Sequence, residues 1–337
     1  MESLQFALTV AGCLLLACIA VCNAWTVRRN TPRQAEHAEP QADPDESADA
    51  ALDNAALLAA QPLGAEHLDP RIDSIIPIVL DMPVSGEKLI ARLPAVHRIG
   101  SKPFTIEARH ERTLRWEAPQ PGRLYDACKA GLQLANRTGA VSQVEFSEFV
   151  IKTQAFADAI GGSADSPDMD KEMTRARELD RIAARCDAQL TLILGARATP
   201  WSLGFVRQQA ARQGFVDAAV IGRMVLPAQH AGAPHLVELA YDAQIALSDN
   251  KEELPIYEIS LNIDVPQIAP QAGAFDQLLQ SAAALGESMD GIIMDPAGQP
   301  LTEKMVMQLR DELVVVYKTL IKHQLPAGAS ATRRLFS

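Results

Sequence analysis

Aromatic side chains make up only 5% of the chain, and 31 Lys and Arg are outnumbered by 42 Asp and Glu, for a formal net charge of −11. A strand of nucleic acid is held by a basic surface and by aromatic platforms on which bases stack. Both are missing, so nucleic acid is excluded as a partner. Cysteine is equally sparse. Cys13, Cys18 and Cys22 crowd at the N-terminus, which leaves only Cys128 and Cys186 for the rest of the chain. No disulfide framework and no paired-cysteine zinc site can be built from those two. Catalytic signatures are absent as well: no G-x-G-x-x-G, no phosphate loop, no G-x-S-x-G, no H-E-x-x-H. The seven histidines are scattered, and His230 and His235 fall in a turn-like stretch. Asp126, Glu145 and Glu148 are not drawn together by any spacing, and Asp165, Asp168 and Asp170 lack the turn glycine and distal glutamate of a calcium loop. The expectation is a binding protein, not an enzyme, without cofactor, metal or small-molecule substrate.

What is present begins with a long apolar run. Residues 4–27 carry no charge and include Leu8, Val10, Leu14, Leu15, Leu16, Ile19 and Val21. Roughly 20 apolar residues suffice for a helix across a bilayer. Trp25 suits the headgroup region, and Arg28, Arg29 and Arg33 follow at once, whereas only Glu2 precedes. By the positive-inside rule, residues 1–3 stay outside and the body lies in the cytoplasm. The absence of a basic n-region argues against a cleaved signal peptide. A lipoprotein signal acylated at Cys18 or Cys13 remains a second reading. Residues 28–71 are rich in Ala, Pro, Gln, Asp and Glu and poor in aromatic and β-branched residues, the composition of a disordered linker. As a coil of ~40 residues its root-mean-square reach is about 35 Å.

With 337 residues and 48% apolar content there is room beyond the linker for about two domains. The pattern predicts an α+β class. Strands are expected at 75–80, 104–108, 113–116, 124–134, 189–194, 216–226, 235–243, 257–265 and 292–294. Helices are expected at 89–96, 201–212 and from about 302. Phe146, Phe149, Thr153, Phe156 and Ile160 share one helical face, Met169, Met173, Ala176, Leu179 and Ala183 a second, and Phe275, Leu278, Ala282, Leu285 and Met289 a third. Tyr257, Ile259, Leu261, Ile263 and Val265 alternate with Glu258, Ser260, Asn262 and Asp264, the period of a half-buried strand. Landmarks recur: Leu124-Tyr125-Asp126 in type as Ile256-Tyr257-Glu258, and a Phe-led helix running to a glycine twice, from Phe146 to Gly162 and from Phe275 to Gly291. An internal duplication of one α/β unit is expected, with the halves at 72–186 and 187–325 and a flexible tail at 326–337.

The order of features, and the passages Ile263-Asp264-Val265-Pro266, Phe275-Asp276-Gln277-Leu278-Leu279-Gln280-Ser281-Ala282 and Met289-Asp290-Gly291-Ile292-Ile293-Met294-Asp295, resemble the ZipA family of cell-division proteins. The resemblance covers residues 187–322, and the half at 72–186 is additional. It implies a split β-α-β fold, an antiparallel sheet with helices on one face. The other face would take the C-terminal peptide of FtsZ, and the apolar N-terminus would tie FtsZ filaments to the inner membrane at midcell. It places the peptide on Gln189, Thr191 and Ile193, on Glu238, Ala240 and Asp242, and on Ser260 and Asn262. That set is mostly polar, with Ile193 its one large apolar member, unlike a groove for aromatic and aliphatic anchors. A scaffold for another envelope or division protein, or a periplasmic lipoprotein, are the alternatives.

Overall fold

A computed structural model describes residues 67–228, 232–248, 250 and 254–337. The expected membrane segment at 4–27, its flanking Trp25, Arg28, Arg29 and Arg33, most of the linker, and His230 lie outside the described residues. Among the described residues no helix is long and apolar enough to cross a membrane. The architecture is mixed α and β with antiparallel sheets.

The described chain divides into two compact units that are not sequential. One runs to Ala188 and adds Asp264–Gln271 and Asp311–Ser337; the other comprises Gln189–Ile263 and Ala272–Arg310. The contiguous body expected at 187–325 is therefore split between them.

The first unit opens on strand β1 (Asp73–Ser85), followed by helix α1 (Gly86–Arg92) and strands β2 (Arg98–Ile99), β3 (Lys102–His110), β4 (Trp116–Glu117) and β5 (Leu124–Gln133). A small ribbon of β6 (Ala135–Asn136) and β7 (Gly139–Ala140) leads to helix α2 (Gln143–Ile160), edge strand β8 (Gly162–Ala164) and helix α3 (Met169–Cys186). The lateral order is β2-β3-β5-β1-β8, with β4 paired to β3. Strand alternation sends Ile76, Ile78, Ile106, Ala108, Cys128 and Ala130 inward, where the apolar stripe of α2 meets them. Phe149 stands edge-on to Phe104 at 5.8 Å and to Phe146 at 5.9 Å between ring centroids. The start of α2 is fixed by a capping box between Ser142 and Glu145.

The second unit repeats this plan. Strand β9 (Gln189–Ala196), helix α4 (Leu203–Arg212) and strands β10 (Val216–Asp217), β11 (Arg223–Leu226) and β12 (Val237–Ala240) come first. The strand expected over 216–226 is thus two short ones, broken at Gly222, which has φ +83°. A short helix α5 (Ala243–Leu247), strand β13 (Glu258–Asp264), helix α6 (Ala274–Met289), strand β14 (Gly291–Met294) and the start of helix α7 (Glu303–Lys322) follow, the residues of α7 from Asp311 on being counted with the first unit. The lateral order is β10-β11-β12-β13-β9-β14. Setting β1, β2, β3, β5 and β8 against β9, β11, β12, β13 and β14 gives the same sequence of strands across both sheets. The recurring glycines have the same work in each. A left-handed residue, Gly161 or Asp290, ends the helix. The glycine after it lets the edge strand lie close: a Cβ on Gly162 would sit 2.6 Å from the Val79 carbonyl oxygen, and one on Gly291 2.7 Å from Leu194 Cδ1. Ile259, Leu261, Ile263 and Val265 are buried as the alternation requires, but Tyr257, assigned to the same face, is 54% exposed. Trp201, expected to begin a helix, is instead fully buried before it and donates its indole N–H to the Met289 carbonyl at 2.8 Å.

Two boundaries differ from expectation. The ordered body begins before residue 72, because Leu68 is buried. Residues 326–337, expected as a flexible tail, carry helix α8 (Ser330–Leu335) and bury Ala331, Leu335 and Phe336. Their sequence hid an ion pair: Arg334 donates Nη1 and Nη2 to the Asp73 carboxylate at 2.8 and 2.6 Å, with both side chains out of water. Burial pushes the Asp73 carboxyl up, against the pull of the Arg334 guanidinium. Gln133 donates to the Arg334 carbonyl at 2.9 Å, and Gln267 to the carbonyls of Arg333 and Phe336. Arg334→Ala is expected to cost about 3–5 kcal/mol, because it strands a buried carboxylate. The double change Asp73→Leu with Arg334→Met should cost clearly less, measured by urea unfolding.

Candidate functional site

A sheet with helices on one side has its functional opportunity on the other. In the second unit the inward positions Leu192, Leu194, Leu239, Ile259 and Leu261 are buried beneath Phe275, Leu278 and Leu285 of α6. The intervening positions point the opposite way. Strand β9 runs antiparallel to β13, since Ala196 donates its N–H to the Tyr257 carbonyl while Thr191 meets Asn262. Glu238 pairs with Asn262, and Ala240 with Ser260, across β12 and β13. Val225 pairs with Glu238 and Arg223 with Ala240. At the other side Met294 pairs with Ile193 and Ile292 with Gly195.

Two rows of side chains cross this outer face. One reads Met294, Ile193, Ser260, Ala240, Arg223; the next reads Thr191, Asn262, Glu238, Val225, Val216. Seven of the eight residues singled out from sequence lie here together: Gln189, Thr191, Ile193, Glu238, Ala240, Ser260 and Asn262. Gln189 is exposed and the other six are half-buried. Asp242 does not join them. It lies past the end of β12, exposed, and its carboxylate accepts the Gln244 N–H at 2.8 Å as the cap of α5. A residue that follows the strand period by number leaves the face once the strand has stopped.

The floor is polar and internally satisfied. Thr191 Oγ1 donates to Asn262 Oδ1 at 2.8 Å, and Asn262 Nδ2 donates to Ser260 Oγ at 3.2 Å. Arg223 donates to Glu238, which holds the guanidinium firmly protonated. An apolar margin, which the strand pattern alone did not assemble, flanks this centre. Ile292 and Met294 of edge strand β14 lie at one side, the Met294 methyl standing over Gly195, and Val225 and Val216 lie at the other. Register was the missing information, because the sequence marks Ile292 and Met294 as strand residues but not as neighbours of Ile193. Chemically, such a face can take an extended peptide whose apolar side chains rest on the margins and whose polar groups meet the hydroxyl–amide ladder.

The other polar candidates have structural partners. Glu145 closes the capping box of α2, Glu148 pairs with Lys152, Asp126 pairs with Arg109, and Asp168 caps α3. Cys128 and Cys186 are buried, and burial pushes the Cys128 thiol up to about 12. Among the described residues no group of three or more His, Cys, Asp or Glu side chains could hold a metal ion.

Residues 247–312 match the family model of the ZipA C-terminal FtsZ-binding domain. The match runs from the end of α5 through β13, α6 and β14 into α7. It includes Ser260, Asn262, Ile292 and Met294, whereas the face residues of β9 and β12 precede it. No curated protein matches the chain.

Two outcomes are expected. Asn262→Ala should cost only about 0.5–1.5 kcal/mol in chemical denaturation, the value of a part-exposed hydrogen bond. A chromogenic disulfide reagent should leave Cys128 unmodified in the native protein, even at pH 9, and modify it on unfolding, since the thiolate is the reactive form.

Proposed function

We propose that this protein is a membrane-tethered adaptor of bacterial cell division that binds the C-terminal peptide of FtsZ on the outer face of the β9–β13 sheet. The observation that carries the reading is the coincidence of two facts. The family match to an FtsZ-binding domain falls on β13, α6 and β14, and α6 covers the inward side of that sheet while Ser260, Asn262 and Met294 alternate to the other side and are only half-buried. An extended peptide buries a few side chains there at the apolar margins, Ile193 with Met294 on one side and Val225 with Val216 on the other. The ladder of Thr191, Asn262 and Ser260 between them supplies hydrogen bonds rather than apolar anchoring. A modest affinity for each copy suits a polymer, because many tethers along one filament bind by avidity.

The apolar residues 4–27, with Trp25 and the Arg28, Arg29, Arg33 cluster, are the proposed inner-membrane anchor. The chain past Arg33 then works as a tether in the cytoplasm, and the protein gathers where FtsZ assembles. The shared strand order of the two sheets supports reading the body as a duplicated α/β unit.

Titration of the full-length protein with an FtsZ C-terminal peptide should give saturable binding. Ile193→Lys and Met294→Lys should each weaken it by about tenfold or more, the loss of ~1.4 kcal/mol. Asp242→Ala, off the face, should leave it unchanged. Equal loss from all three, or no binding by the unaltered protein, would sink the proposal.

A further inference from the structure

Helix α7 has two sides of different character. Leu313 and Leu320 are buried, and Val316 and Tyr317 pack against the core of the first unit. An amphipathic helix turns polar on the side away from such a core. This one keeps an apolar stripe there. Met307, Val314 and Ile321 are 68%, 43% and 61% exposed. They stand seven residues apart on one unbroken helix of 20 residues, so two turns separate each from the next and the three line up along it.

The charges beside the stripe are arranged as well. Arg310, on one flank, donates to Asp276 at 2.7 Å, and its guanidinium lies over the Phe275 ring. Asp311 and Lys318, on the other flank, are exposed and have no ion-pair partner among the described residues. Asp311 precedes Val314 by three residues and Lys318 follows it by four, so both lean to the same side of the stripe, one toward each end. Opposite charges placed at nearly equal distances on either side of a central residue are complementary to themselves under a two-fold rotation.

We propose that this side of α7 is a self-association surface, on which a second copy of the chain docks antiparallel about a two-fold axis at Val314. The rotation sets Val314 against the partner's Val314. It sets Met307 against the partner's Ile321, since each lies about 10.5 Å from the axis along the helix. Asp311 lies about 4.5 Å and Lys318 about 6 Å from the axis, so Asp311 of each copy falls beside the partner's Lys318, twice in the pair. A parallel pair would bring Asp311 against the partner's Asp311 and Lys318 against the partner's Lys318. The stripe thus supplies apolar burial, and the charges select the antiparallel arrangement. The surface shares no residue with the outer face of the β9–β13 sheet, so it stands or falls apart from the peptide reading. A pair carries two such faces, which adds to avidity along a polymer.

The test uses the full chain in detergent, with Cys13→Ala, Cys18→Ala and Cys22→Ala so that only the buried Cys128 and Cys186 remain. Val314→Cys, on the axis, should form a disulfide-linked dimer under mild oxidation at least about tenfold faster than Glu312→Cys, about half a turn away around the same helix. A mixture of Met307→Cys and Ile321→Cys proteins should give mainly the mixed disulfide. Asp311→Lys and Lys318→Asp should each slow the Val314→Cys reaction by about threefold or more, and the two together should restore it. Equal rates at positions 314 and 312, Met307→Cys chains that link to one another in preference to Ile321→Cys chains, or a double charge reversal as slow as the single ones would each overturn the proposal. The substituted positions on α7 are exposed, so the variants keep the fold.

Discussion

An antiparallel sheet that buries one face under helices must settle what happens on the other. That constraint organises both units. Alternation gives each strand an inward set, Ile76, Ile78 and Cys128 in one sheet and Leu192, Leu194 and Leu261 in the other, and an outward set that contributes nothing to the core. The two outward sets take different solutions. In the second sheet Thr191, Asn262 and Ser260 bond to one another and Arg223 pairs with Glu238, so the face is stable in water. In the first, Leu68 covers Gly131 and its N–H takes up Glu107.

The ends of the described chain reinforce the first unit. Leu68 lies against β5, and Arg334 reaches Asp73 at the start of β1. An ion pair held out of water gives little net stability relative to apolar residues of the same shape, but breaking one side of it is costly. It therefore fixes where the last helix docks more than how stable the fold is. Arg137 does similar work near the surface, donating to Asp187 and Asp264 at once, and these partners hold its guanidinium well above its ordinary value.

Much of this was legible in the sequence. The alternation over Ile259, Leu261 and Ile263 and the stripe of Phe146, Phe149 and Phe156 are local signals, and they gave the right elements and inward faces. The recurrence of Tyr125 with Tyr257 and of Gly162 with Gly291 marked the shared plan, because both glycines answer the same close approach. Long-range geometry was not legible. The pairing of Ile193 with Met294 depends on register, and the burial of Phe336 depends on the remote partners Asp73 and Gln267. Asp242 was placed on the face by counting in twos past the strand's end. Tyr257 was placed in the core on the same count, although the strand begins after it.

The most direct test of the account is to map where FtsZ touches the protein in dividing cells. A photo-reactive amino acid placed at Ser260, in the middle of the outer face, should cross-link FtsZ, and one placed at Glu287 on helix α6 should not. Cross-links from Glu287 with none from Ser260 would contradict the central claim.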